Sequence, residues 1–209
     1  MSRADAATES ENVRAIVRAL DLVPHPEGGY FREIYRSGAE PMTTKGKTDP
    51  ALTIETERRA DQEDQGHRNL LTSIYWMLTK KNCSGWWIIN GSDHVHYHHS
   101  GATLLYYVVY PDGKFETHRL GQNLVAGDKP QLVVPGGAMK SCRVLFSPEG
   151  CDYALIGEAV APGFDFRDLT VVSEDQLKRS SPEAFEIARD LVHGSTTWET
   201  DDYYHGSQT

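Results

Sequence analysis

Cysteine is scarce in this chain of 209 residues: Cys83, Cys142 and Cys151 are its whole supply, and no two form a Cys-x-x-Cys pair. An odd, scattered set excludes a disulfide framework and a thiolate zinc site, and leaves buried free thiols as the expectation, with a pairing between two of them open. Long apolar runs are missing as well. None approaches the roughly 20 residues that cross a bilayer, and the opening MSRADAATESENVRA lacks the apolar centre of a secretory signal. A soluble, cytoplasmic protein with no membrane partner is expected. Basic residues are outnumbered, 21 Lys and Arg against 30 Asp and Glu, for a net charge of −9. With no basic stripe to offset that charge, a phosphate backbone is repelled, which argues against nucleic acid as a partner. No P-loop, dinucleotide-binding glycine pattern or Ser-His-Asp order occurs, and there is no internal repeat.

What is present suggests one domain with decorated ends, since 39% hydrophobic residues in a chain of this length suffice for a single core. Thr8 and Glu11 have capping-box spacing, and Val13, Ile16, Val17 and Leu20 place an apolar stripe on a short N-terminal helix. YFREIYR (30–36) reads as a strand. Residues 37–69 then form a polar stretch without periodicity, a long loop or insertion with a strand near Leu52 to Glu55.

From Leu70 the texture changes to short runs rich in Tyr, Val, Ile and Trp: LLTSIYWML (70–78), GWWIIN (85–90), HVHYHH (94–99), TLLYYVVY (103–110), KFETHRL (114–120), QLVV (131–134), RVLF (143–146) and YALIGEAV (153–160). Their spacing predicts an antiparallel all-β domain, and Asp112-Gly113 supplies a hairpin turn between two of the runs. Pro135-Gly136-Gly137 and Pro162-Gly163 read as further reversals. Near the end, Ser181 is a candidate N-cap with Pro182 at the first helical position, followed by Phe185, Ala188, Leu191 and Val192 on one face. Residues 195–209 carry no pattern and are expected to be mobile.

The ordered set HPEGGYFREIYR (25–36), TSIYWML (72–78), YPDGKF (110–115), VVPGG (133–137) and APGFDF (161–166) resembles the DUF985, or Cupin_5, branch of the cupins. That resemblance implies a double-stranded β-helix, or jelly roll, paired as a homodimer. The chain then divides into a mobile start and helix (1–20), a jelly-roll domain (21–172), a C-terminal helix (173–193) and a flexible tail (194–209). Metal-binding cupins place three His and one Glu inside the barrel. At the corresponding positions this sequence has Ile88, Asn90, His94 and, in the second motif, Lys140. An apolar side chain and a cationic one cannot donate lone pairs to a divalent ion, so the usual cupin metal site is expected to be lost.

The run His94-Val95-His96-Tyr97-His98-His99 stands out. Side chains alternate along a strand, so His94, His96 and His98 share one face and would line the pocket. If a metal binds at all, these three are its expected ligands, a set suited to zinc, nickel or copper. The reading preferred on ligand count is that they are ordinary pocket or core histidines and that no cofactor is needed.

Lys140 opposite three histidines predicts a neutral to cationic interior. Such a pocket would take a small polar or anionic metabolite, a carbohydrate derivative or nucleotide-sugar among them. The segment 27–33 also resembles the opening strand of sugar-nucleotide 3,5-epimerases, although Gly28 replaces their substrate-binding Arg. That resemblance implies a metal-independent isomerase or epimerase, with His96 as base, Lys140 as anion anchor and a tyrosine, Tyr75, Tyr106 or Tyr107, as acid. Glu27 is a pocket candidate because its flanking glycines could aim it inward; Arg32 and Glu33 are expected in ion pairs at a dimer edge. One of Trp86 and Trp87 should be core and the other elsewhere. Two alternatives stay open: a non-catalytic ligand-binding or sensing cupin, and a metalloenzyme built on the histidine cluster.

Overall fold

The structure, a computed structural model, describes residues 9–38, 53–55, 67–146 and 150–194. Helix α1 (Glu11–Ala19) is capped by Ser10, whose Oγ accepts a hydrogen bond from the Val13 N–H at 3.1 Å. Thr8, the expected cap, lies outside the described residues. The predicted stripe is real: Val13, Ile16, Val17 and Leu20 pack with Leu22, Tyr30, Met77 and Leu155.

Four strands precede the regular β region: β1 (Val23–Pro24), β2 (Tyr30–Arg36), β3 (Thr53–Glu55) and β4 (His67–Asn69). They are followed by β5 (Thr72–Thr79), β6 (Ser84–Asn90), β7 (Asp93–Gly101), β8 (Leu104–Val109) and β9 (Phe115–Leu120). The last four are β10 (Gln131–Val134), β11 (Met139–Val144), β12 (Tyr153–Ala161) and β13 (Leu169–Val171). One expected strand moves: β11 begins at Met139, immediately after the glycine turn, rather than at Arg143.

Eleven of these strands form two antiparallel sheets, a six-stranded one in the order β1-β2-β5-β12-β7-β10 and a five-stranded one in the order β13-β6-β11-β8-β9, while β3 pairs with β4. The sheets pack face to face, and strand alternation decides what each side chain meets. On β8, Tyr106 and Val108 point into the space between the sheets with Leu78, Leu120, Ala154 and Ile156. Their neighbours Tyr107 and Val109 point outward.

That outer face is covered by the C-terminal region. The sequence suggests one helix over 173–193, but the chain forms two, α2 (Glu174–Ser180) and α3 (Pro182–Ala188). Pro182 is the cause: the residue before a proline is pushed out of the helical region, and Ser181 sits at φ −154°, ψ 98°. Ser181 then caps α3 by accepting from the Ala184 N–H at 3.2 Å. Leu177, Ala184, Ala188 and Leu191 bury against Trp87, whose indole N–H donates to the Ala188 carbonyl at 2.8 Å.

Gly137 shows why the turn before β11 is built from glycine. Its φ is +83°, and its N–H reaches the Asn90 carbonyl at 2.8 Å. A Cβ on the preceding Gly136 would collide with the Gly91 carbonyl oxygen. The β10–β11 turn therefore rests on the β6–β7 turn, which fixes Lys140 relative to His94. Among the described residues no helix is long and apolar enough to cross a membrane.

Candidate functional site

Between the sheets lies a cavity of about 980 Å³. Its apolar walls include Phe31, Trp76, Trp86 and Phe166; its polar lining includes His94, Lys140, Glu158, Tyr106 and Glu27 at one end, and the charged groups Glu33, Arg36, Asp165 and Arg167 also border it. A few placed polar groups within an apolar and aromatic enclosure are the composition of a small-molecule site. Trp86 faces this cavity and stacks on His193 at 3.6 Å between ring centroids, whereas Trp87 is wholly buried on the opposite face of β6.

The polar lining is organised around Lys140. β11 presents its ammonium from the five-stranded sheet toward three groups of the six-stranded sheet. Nζ lies 2.6 Å from His94 Nδ1, 3.2 Å from His96 Nε2 and 3.6 Å from Glu158 Oε2. Glu158 is directly opposite His96 in the β12–β7 register, so the two side chains share a face, and its Oε1 lies 3.3 Å from His96 Nδ1. The Tyr106 hydroxyl is 3.2 Å from the same Nδ1. Lys140, Glu158, His94 and His96 are all buried.

These contacts determine where protons sit. His94 Nδ1 lies between the Lys140 ammonium at 2.6 Å, which can only donate, and Glu158 Oε2 at 3.3 Å, which can only accept; the nearer donor makes His94 Nδ1, like His96 Nε2, an acceptor, and each ring carries its proton on the other nitrogen. For His96 that N–H faces Glu158 and Tyr106. For His94 it is Nε2, a buried atom without a hydrogen-bond partner among the described residues. Burial and the adjacent Lys140 charge depress His94 to about 3, and the same two causes lower His96. Burial alone would raise Glu158, but Lys140 and the two imidazoles outweigh it and hold the carboxylate well below its ordinary range. Both imidazoles are thus neutral, and the charges of Lys140 and Glu158 cancel. Of the neutral to cationic interior expected from sequence, the neutral end describes this cluster, because Glu158 supplies a counter-charge to Lys140.

Glu27 enters from the loop before β2. Gly28 and Gly29 take φ of +104° and +74°, and a Cβ on Gly29 would strike the Met77 carbonyl oxygen, so this close reversal requires glycine. The loop is pinned by the Trp76 indole N–H, which donates to the Gly28 carbonyl at 3.1 Å. Glu27's own N–H donates to His25 Nδ1 at 3.1 Å. Burial pushes the Glu27 carboxyl up to about 7 and His25 down to about 4. A carboxyl that titrates near neutrality and lines a cavity is suited to proton transfer.

The sequence-predicted residues divide accordingly. His94, Lys140 and Glu27 line the cavity, while His96 lies behind it with both ring nitrogens engaged and positions its neighbours rather than facing a ligand. His98 does not join them: its Nε2 is 3.0 Å from the Ala102 carbonyl, and it is absent from the cavity wall, so the expected three-histidine set is replaced by His94, His96 and Glu158. Of the candidate tyrosines only Tyr106 faces inward; Tyr75 packs near α1 and Tyr107 near the C-terminal helices. Arg32 pairs with Asp21 and Glu33 with Arg36, both within the chain. All three cysteines are free, but only Cys142 is buried; Cys83 and Cys151 are exposed.

Glu158 was the residue sequence reasoning missed. Its signal is one carboxylate inside the apolar run Tyr153–Val160, at the parity that faces the interior. His25, Phe31 and Trp76 were missed too, since nothing local marks them as cavity residues.

His94, His96 and Glu158 offer one ligand atom each within 4.8 Å of one another, the donor set of a two-histidine, one-carboxylate metal centre. The site as built does not fit a divalent ion. Lys140 Nζ already occupies the point on which these lone pairs converge, and a metal bonded at ~2 Å would have to displace a tethered positive charge.

Known proteins agree with this architecture. The chain is 33% identical over 172 residues to the uncharacterized protein YML079W of Saccharomyces cerevisiae, covering 80% of this chain and 79% of that one. A hypothetical protein from Leishmania major superposes with a TM-score of 0.70 at 25% identity, over 88% of this chain and 99% of the other. Protein SO0799 from Shewanella oneidensis gives 0.65 at 28% identity, over 87% and 97%. The model of the Cupin_5 family, described as cupin superfamily (DUF985), matches residues 14–172. The chain belongs to the Cupin_5 family of the cupin superfamily.

Proposed function

We propose that the barrel takes up a small polar metabolite containing a carbonyl or comparable acceptor, and that it moves a proton on that metabolite without a metal, as an isomerase or epimerase does. The acceptor atom meets the His94 Nε2–H, the apolar or ring portion lies against Phe31 and Trp76, and Glu27 exchanges the proton.

The observation that carries this reading is the buried Nε2 of His94, which has no hydrogen-bond partner among the described residues and belongs to a residue that lines the cavity. Leaving a buried donor unpaired costs about 1–3 kcal/mol, a cost that a ligand acceptor would recover. The tautomer is set by Lys140 on the opposite nitrogen, so the ring is a neutral donor, able to stabilise the oxygen of a developing enolate without itself losing a proton. A neutral imidazole donor combined with a carboxylate that titrates near pH 7 is an arrangement used for proton abstraction next to a carbonyl. Because Lys140 is balanced by Glu158, the end of the metabolite that reaches this region is expected to be uncharged.

The test is a thermal-shift screen of sugars, keto and aldehyde derivatives and nucleotide-sugars, followed by proton NMR of each binder in deuterated buffer. Deuterium should enter one carbon-bound position with the wild-type protein. Glu27→Gln should still bind but leave that position unlabelled. A ligand that binds and never exchanges would make the protein a non-catalytic binder. Binding unaffected by His94→Phe would remove His94 from the site.

A further inference from the structure

The Lys140 ammonium is surrounded as a bound cation would be. Two imidazole nitrogens and one carboxylate oxygen converge on Nζ at 2.6, 3.2 and 3.6 Å. The three side chains reach it from β7 and β12, on the sheet opposite the lysine. None of them depends on Lys140 for its backbone position, because β7 and β12 are paired with each other along their length.

We propose that Lys140 is a tethered substitute for a metal ion: it neutralises and orders a His94–His96–Glu158 centre, excludes divalent metals from it, and its shortening converts the same residues into a metal-binding site. An ammonium and a divalent ion compete for the same lone pairs, but at different distances, ~2.8 Å for a charged N–H donor and ~2.0–2.2 Å for a metal. To bind a metal at the position of Nζ, the two imidazole nitrogens and the carboxylate oxygen close inward by roughly 0.5, 1.1 and 1.5 Å once the lysine stem is gone. The vacated volume leaves room for water at the remaining coordination positions, giving the open two-histidine, one-carboxylate arrangement that suits iron(II), cobalt(II) or zinc(II). This inference concerns the resting site and does not rest on the identity or the turnover of any metabolite.

The experiment uses the untagged full-length protein dialysed against cobalt(II) and then against metal-free buffer, with metal content and the visible d–d absorption of bound cobalt as readouts. The wild-type protein should retain little cobalt and show no bands. Lys140→Ala and Lys140→Met should each retain about one equivalent with visible bands, and both signals should vanish when His94 and His96 are also replaced by Ala. If a variant is unstable without metal, it is refolded with and without cobalt, and cobalt-dependent folding counts as uptake. Near-stoichiometric cobalt in the wild-type protein, lost on His94→Ala, would overturn the proposal. So would Lys140 variants that neither retain cobalt when folded nor fold in its presence. The deuterium-exchange test of the metabolite site can succeed or fail without altering either result.

Discussion

Lys140 and Glu158 stand on opposite sheets of the barrel and form a buried ion pair, Nζ to Oε2 3.6 Å. The two imidazoles between them are held neutral. This pair links the sheets at the depth of the cavity, and it sets the tautomers on which the proposed chemistry depends.

Breaking the pair from one side should be costly. Glu158→Gln leaves the ammonium buried without its counter-charge, and urea denaturation should report a loss of about 3–5 kcal/mol. The double variant Lys140→Met/Glu158→Gln should lose clearly less than the sum of the single variants, because removing both charges removes the uncompensated one. Additive losses would show that the two side chains do not interact.

Glu27 predicts a stability that depends on pH with an unusual sign. Its folded value of about 7 lies above the ordinary 4.5, so the folded state holds the proton more tightly than the unfolded state does. Stability from this group is therefore complete below about pH 4.5 and falls as pH rises toward 7, by at most about 3 kcal/mol. Replacement by Gln should remove that fall: the difference in unfolding free energy between Glu27→Gln and wild type should grow in favour of the variant from pH 5 to pH 8. A constant difference across that range would mean that Glu27 titrates normally.

His25 and His94 should oppose acid. Both are depressed in the folded protein, to about 4 and about 3, so unfolding takes up protons below the ordinary 6.5 and their contribution is lost as pH falls toward those values. Imidazole NMR should show both rings neutral at pH 5.5, whereas a solvent-exposed histidine would be mostly charged. A midpoint near 6.5 for either ring would show that the folded protein leaves that ring solvated.

The C-terminal helices should respond to their cap. Ser181→Ala removes the hydroxyl that accepts from the Ala184 N–H and should cost about 1 kcal/mol by urea denaturation. Trp87→Phe, which loses the hydrogen bond to the Ala188 carbonyl and part of a wholly buried ring, should cost more and expose the outer face of β6. Equal, negligible losses would mean that α2 and α3 contribute little to the stability of the sheet they cover.

Local signals were read correctly where local physics decides. The alternation in 70–110 and the Asp112-Gly113 turn determined the strands and one hairpin, and the Gly113 N–H does bond to the Tyr110 carbonyl at 2.9 Å. Strand parity alone placed His94 and His96 on a common face. Ser181 and Pro182 marked a helix start, although their sequence also breaks the segment in two, because the pre-proline residue cannot stay helical. The family motifs located the jelly roll itself.

What the sequence could not decide is which strands become neighbours. Glu158 is 62 and 64 positions from His96 and His94, respectively, and only the β7–β12 register brings them into contact. That one pairing gave Lys140 a counter-charge, moved the donor set from three histidines to two histidines and a carboxylate, and gave His96 Nδ1 its carboxylate partner. His98 stays apart because it lies two residues farther along β7, opposite Ile156, where its Nε2 meets the Ala102 carbonyl. Residue type and spacing determined the elements and the faces of their side chains, since those depend on backbone geometry over a few residues. Charge balance, tautomer and cavity lining were decided by tertiary structure, because they depend on groups that meet only when the two sheets close on each other.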